Sequence, residues 1–262
     1  MSFSGDRFLV NEKSLELNIT HELMSDMNAL AVGFSQGQEK VIGGDVSLSP
    51  VGSPVGKPLI LQFKRPEGEG FPPTIGVFRI NTNRTTTHPP TQHKALDELS
   101  RHTDLCDVYY VFPLVFRNRE FVRSFGRLSD QSVYVPPCNL TDCVSVRSRN
   151  WMNEPHKVTV GPPPTSAIQI RSSEVGECHG LSKRELLKKL SSETDREKDQ
   201  TPEGNSDLLT EHIEGTLKKM EQVLTKAEVV YSTEHTVNFF LRSKRKSLHY
   251  VPLTVRLKGR KE

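Results

Sequence analysis

The sequence predicts an α/β (α+β) chain built on a mixed sheet, in the order helix, three strands, helix, strand, followed by a C-terminal helix and a β-hairpin. Three observations carry that expectation. Apolar residues recur at helical spacing from Asn18 to Phe34. Three strand-length apolar runs follow, separated by loops rich in Gly, Pro and Ser. The amphipathic stretch TQHKALDELSRH then precedes DVYYVFPLVF, a run of aromatic and β-branched residues.

Each element has its own local reason. Ile19, Leu23, Met27, Leu30 and Phe34 lie on one helical face, with Asn18 or Thr20 as N-cap, so a first helix is expected over 18–34. In DVSLSP, Val46 and Leu48 alternate with Asp45 and Ser47 as in a half-buried strand, and PLILQFKR is apolar enough to be buried on both faces. These two predict a hairpin, and IGVFRIN is the expected third strand after the turn-rich PEGEGFPP. Ala95, Leu96 and Leu99 face inward from the second helix. From 115 to 170 the strand-like pieces SVYVPP, HKVTV and AIQIR alternate with Pro-rich turns and no helix is expected. Leu209, Ile213, Leu217, Met220, Leu224 and Ala227 form an apolar stripe on a helix over 207–229, and HTVNFFLR pairs across SKRKS with the alternating tail Val251, Leu253, Val255 and Leu257.

These elements divide the chain into a main α/β domain over 1–180, a polar linker or mobile arm over 181–206, and a helix with a basic hairpin over 207–262 packed on the same domain. A homodimer or protein partner engaged through the 207–229 helix is the alternative use of its stripe. Of the 262 residues, 34% are hydrophobic and 26% charged, an ordinary globular composition. The longest apolar run, Val108 to Val115, is broken by Pro113 and falls far short of the roughly 20 residues that span a bilayer, so no membrane association is expected. MSFSGDRFLVNEK lacks the apolar stretch of an export signal, and four cysteines without that signal read as free thiols, so a cytoplasmic protein is expected. Walker, Gly-x-Ser-x-Gly, Gly-x-Gly-x-x-Gly and His-Glu-x-x-His patterns are all absent.

The net charge of +3 hides an asymmetry. From Arg242 to Glu262 there are eight bases and one acid, while the rest of the chain carries 27 bases against 31 acids. The hairpin residues Arg242, Lys244, Arg245 and Lys246 are therefore the candidate nucleic-acid contacts.

The candidate chemistry lies in Glu39-Lys-Val-Ile-Gly-Gly-Asp45 and, seventeen residues further on, Gln62-Phe-Lys64. Residues i and i+2 of a strand share a face, so Gln62 and Lys64 point the same way while Phe63 enters the core. A lysine on a buried strand needs a carboxylate opposite it, which Asp45 on the hairpin partner supplies. Phosphodiester hydrolysis uses such a set, oxygens that hold a hard divalent cation beside a fixed ammonium. Asp45, the Gln62 side-chain oxygen and the Phe63 carbonyl are the candidate metal ligands for Mg²⁺ or Mn²⁺, with Lys64 serving the attacking water and the phosphate. Glu39 is the chosen additional acidic ligand, and Glu22 in mid-helix is the alternative. Gln92 and His93 open the second helix, where an exposed pair is expected in preference to accessory groups.

At Gly43-Gly44-Asp45 and Gln62-Phe63-Lys64 the chain resembles the PD-(D/E)xK nuclease superfamily, in particular its Mrr-type restriction branch with Gly-x-Asp followed by Gln-x-Lys. The element order over 18–114 is similar to that superfamily's restriction-endonuclease-like αβββαβ core, and QFKRP resembles uncharacterised prokaryotic proteins. Gly44 stands where the superfamily's name-giving proline would be. The resemblance implies a metal-dependent endonuclease, a hydrolase acting on DNA in preference to RNA in a restriction or defence setting. The alternative it leaves is a catalytically inactive nuclease-like module that binds nucleic acid or a protein partner.

Overall fold

The computed structural model describes residues 10–34, 36, 39, 42–50, 57–69, 76–80, 92–143, 156–161, 167–170, 177–194, 215–220, 222–224, 238–242 and 248–251. The elements in chain order begin with helix α1 (Glu12–Met27), strands β1 (Ala29–Gly33), β2 (Val46–Pro50), β3 (Leu59–Phe63), β4 (Pro66–Glu69) and β5 (Gly76–Ile80), and helix α2 (Gln92–Arg101). Strand β6 (Asp107–Pro113), helix α3 (Asn118–Arg123), a 3-10 turn (Ser129–Gln131), strand β7 (Ser132–Val135) and helix α4 (Pro137–Cys143) follow. The remainder comprises β8 (His156–Val160), β9 (Ala167–Ile170), β10 (Glu177–His179), helix α5 (Lys183–Thr194), helical residues 215–220 and 222–224, and the hairpin β11 (Asn238–Arg242) and β12 (Leu248–Val251).

Two sheets organise these strands. The larger runs β12-β11-β1-β2-β3-β6-β7 and is mixed, because β3 and β6 are parallel while its other pairs are antiparallel. The smaller, β10-β9-β8-β5-β4, is antiparallel throughout. The α/β class and mixed sheet agree with the sequence expectation. Among the described residues no helix is long and apolar enough to cross a membrane.

Alternation along β3 divides the larger sheet into two faces. Leu59, Leu61 and Phe63 join Leu15, Ile19 and Leu23 of α1 and Leu186 of α5 in one core. Ile60 points the other way, into a core with Ala95, Leu96 and Leu99 of α2, Phe78 and Ile80 of β5, and Leu217, Met220 and Leu224. The second sheet and α2 therefore cover the face on which Gln62 and Lys64 also lie.

Several expectations are corrected. The first helix is not 18–34: it starts six residues earlier, where the Asn11 side chain accepts from Ser14 N at 2.7 Å. It stops at Asn28, whose left-handed backbone (φ 47°) satisfies Met24 O. Leu30 and Phe34 continue the helical spacing by coincidence, since Ala29–Gly33 is an interior strand paired with both β2 and β11. The third core strand is thus β1, and IGVFRIN pairs with β8 and β4 in the other sheet. Short helices α3 and α4 occur where none was expected, each under two turns and too short to show a period. The first half of the segment read as a linker or arm is the packed helix α5, held by Lys183, which pairs with Asp130 and with Asp26 at 3.1 Å. Over the described residues the stripe on the C-terminal helix, Leu217, Met220 and Leu224, packs into the chain's own core, as expected.

Candidate active site

The site forms at the ends of β2 and β3, where a glycine pair turns the chain into Asp45. A Cβ at Gly44 would sit 2.5 Å from Ile60 Cγ2, so any larger residue, proline included, requires the buried Ile60 side chain to move. Gly43 has φ +82°, and a Cβ there would meet the Gln92 carbonyl oxygen at 2.8 Å, so the same turn also seats the start of α2. Asp45 N donates to Leu61 O at 2.9 Å, which registers the acid against β3.

Asp45, Gln62 and Lys64 are brought together. Asp45 Oδ2 accepts from Gln62 Nε2 at 2.8 Å and from Phe63 N at 2.7 Å. Gln62 Nε2 also donates to the Phe63 carbonyl oxygen at 3.1 Å, so a carboxylate oxygen and a backbone oxygen converge on one point. From there the bonding continues through α2: Gln92 Nε2 donates to Gln62 Oε1 at 2.7 Å, and Lys64 Nζ donates to Gln92 Oε1 at 3.0 Å. The chain has a single polarity because its ends are fixed, Lys64 being donor-only and an ionised Asp45 acceptor-only. Lys64 Nζ also lies 5.7 Å from the centre of the Tyr110 ring.

Burial controls the electrostatics. Asp45 is 8% exposed, and desolvation pushes its carboxyl up to about 7, against the opposing pull of Lys64 and the Phe63 N–H. Lys64 is 9% exposed and burial lowers its ammonium, with Glu12 and Asp45 working in the opposite direction. In a site this dry, two opposite charges attract strongly but each loses hydration.

The acids around Asp45 differ from those chosen on sequence. Glu12 and Glu16, one turn apart on α1, impose their charge on Asp45. Glu12 Oε2 also accepts from Arg65 N at 2.9 Å, and Glu16 pairs with Lys13 at 2.6 Å. Burial raises the Glu16 carboxyl, against that bond from Lys13. Glu39 is half-buried and its carbonyl accepts from Gly43 N at 2.9 Å, and its charge is felt at Lys13 and Glu16, whereas the charges felt at Asp45 are those of Lys64, Glu16 and Glu12. Glu22 is turned to other work, its carboxylate accepting from Leu128 N, Ser129 N and Ser129 Oγ at 3.1, 2.7 and 2.6 Å. The Asn11 cap with Glu12 and Glu16 in the first turns was the readable signal for these acids, and starting the helix at Asn18 hid it.

His93 is not an exposed helix-start residue. It is fully buried, with Nδ1 2.9 Å from Tyr110 Oη and Nε2 3.1 Å from Thr141 Oγ1. The basic hairpin lies outside this constellation: Arg242 ends β11, three strands along the sheet from β3, and Lys244, Arg245 and Lys246 fall outside the described residues.

The donor set fits a hard dication in kind. Asp45 Oδ2 and the Phe63 carbonyl are oxygens, and Gln62 adds a third only when its amide turns by half a turn, which breaks the Gln92–Gln62 bond and requires the bridge to Lys64 to rearrange. Only one of these ligands is acidic, and among the described residues no three of His, Cys, Asp and Glu cluster as a metal-holding group. Compared with described protein families, with curated proteins and with solved structures, the chain matches none of them.

Proposed function

We propose that the chain is a metal-dependent endonuclease of the PD-(D/E)xK type that hydrolyses phosphodiester bonds in DNA. The observation that carries this reading is the convergence of Asp45 Oδ2, the Gln62 amide and the Phe63 carbonyl beside the Lys64 ammonium at one sheet edge. Mg²⁺ or Mn²⁺ would be held by Asp45, Gln62 and Phe63, and when bound it supplies a Lewis acid and an acidified water. The protein contributes the rest. Lys64, fixed by Gln92 and resting over Tyr110, presents an ammonium proton to the incoming water or to a phosphate oxygen. Glu12 and Glu16 add negative potential that favours a cation over a bare anion near Asp45. The basic hairpin is assigned to phosphate contacts remote from the reacting bond, and a restriction or defence role suits a DNA-cutting activity. The free thiols of Cys106 and Cys138 fit a reducing, cytoplasmic setting.

One observation favours the second reading, an inactive nuclease-like module that binds nucleic acid or a protein. The side chains of Asp45, Gln62, Gln92 and Lys64 are already bonded to one another in a continuous bridge. Calorimetry with Mg²⁺ and Mn²⁺, run beside cleavage assays on supercoiled and linear DNA, separates the two. The proposal expects stoichiometric metal binding and metal-dependent nicking. Absence of both assigns the chain to the inactive module.

A further inference from the structure

The segment after β6 is a strongly charged, exposed feature outside the site. FRNREFVRSFGR holds four arginines and one acid between 116 and 127. That acid, Glu120, is engaged next to its own backbone: its Oε2 accepts from Phe116 N at 3.0 Å and Arg117 N at 3.1 Å, and its Oε1 lies 3.9 Å from Arg117 Nε. Arg119, Val122 and Arg123 stand at i, i+3 and i+4 on one face of α3 and are exposed. Phe125 and Arg127 extend that face through the following turn, with Val122 70% and Phe125 68% exposed. The platform beneath is firmly attached, since Phe121 packs on the α1-side core and Glu22 of α1 accepts from Leu128 N and Ser129 N.

Topology starts the segment that leads to this face at the end of the strands where the candidate active site lies, with Phe121 anchoring it on the α1 side of the sheet. β3 and β6 are parallel neighbours with Phe63 opposite Val111, and Lys64 N donates to Val111 O at 3.0 Å. The chain leaving β6 therefore emerges at the edge where Lys64 and Arg65 leave β3. Eight residues from Val111 to Arg119 span at most about 28 Å even if fully extended. That reach corresponds to about eight base pairs of duplex, less than one helical turn.

We propose that Arg119, Arg123 and Arg127, with Phe125 and Val122 between them, form a contact surface for duplex DNA flanking the bond held at Asp45 and Lys64. Guanidinium groups bind phosphates in a bidentate manner, and an exposed aromatic ring flanked by them suits a sugar or an unstacked base. The inference takes its ligand from the phosphodiester reading, but the binding it describes needs neither metal nor catalysis.

The experiment is fluorescence anisotropy of a labelled duplex with the full chain in EDTA, titrated with salt, so that cleavage cannot intervene. For Arg119→Ser/Arg123→Ser/Arg127→Ser the plot of log affinity against log salt should become shallower by about 2.7, near 0.9 for each phosphate that the variant no longer neutralises. The corresponding triple Lys variant should restore the slope. Phe125→Ala should keep the slope and weaken binding about fivefold or more. An unchanged slope in the triple Ser variant overturns the proposal, as does failure of the Lys variant to restore it. Equal competition by phosphatidylserine vesicles at matched phosphate assigns the face to a membrane surface and also overturns it. A wild type that binds through these arginines but never cleaves sinks only the hydrolytic reading. One that cleaves while its Ser variant keeps the slope sinks only this inference.

Discussion

Asp45 accepts both of its hydrogen bonds on one oxygen, Oδ2, and that detail separates its charge from its bonding. Asn at 45, with its amide oxygen in that place, keeps both acceptor roles and removes the buried charge. The sign of the pH effect follows from linkage. Burial lifts the folded-state carboxyl from its ordinary 3.8 to about 7, so between those values the folded protein holds a proton that the unfolded chain has released. Stability contributed by Asp45 therefore falls as pH rises from about 4 to about 7 and stays low above that. Asp45→Asn should flatten this decline, melt at or above the wild-type temperature at pH 7.5, and abolish cleavage. Melting curves from pH 4 to 8 check it, and a large loss of stability at neutral pH would show instead that the Asp45 charge holds the turn. Gly43, Gly44, Asp45 and the Gln62-x-Lys64 pair were all legible from residue types and strand alternation. The Gln62–Gln92–Lys64 bridge was not, because its 30-residue separation from Gln62 to Gln92 has no local signature.

At the scale of elements, α1 connects the site to the Arg-rich segment. Its first turns bring Glu12 and Glu16 toward Asp45, and Glu22, further along, binds the start of the 3-10 turn across 106 residues of sequence. Glu22→Ala should cost about 2 kcal/mol, since it leaves the Leu128 and Ser129 donors short of a charged acceptor. Urea unfolding measures the cost, and metal calorimetry on the same variant should give wild-type affinity. Wild-type stability combined with abolished metal binding would restore Glu22 as the additional ligand. The boundaries of this helix were misread for a physical reason. Apolar spacing at Leu30 and Phe34 satisfies a helical period, but Asn28 in a left-handed conformation and the pairing of β1 on both edges override it.

For the whole molecule, the two sheets share one core. Phe78 of β5 meets Phe112 of β6 edge to face, ring centres 4.9 Å apart, and both rings are fully buried. Phe78→Ala should therefore cost about 3–5 kcal/mol in urea unfolding with a single transition. A loss below about 1 kcal/mol, or two separate transitions, would mean that the sheets are independent. By itself, the sequence determined the α/β class, strands β2, β3 and β6, helix α2, and the shared face of Gln62 and Lys64, because a period of two or 3.6 residues and a glycine pair are local properties. Only the tertiary structure decided that IGVFRIN joins the second sheet, that β1 completes the first, and that Glu12 rather than Glu22 faces the site. It also decided that Gln92 ties Gln62 to Lys64, and that β6, which leads into α3, runs parallel beside β3. Each of these rests on packing between distant segments, whose partners are selected by shape and strand pairing and leave no period in the chain.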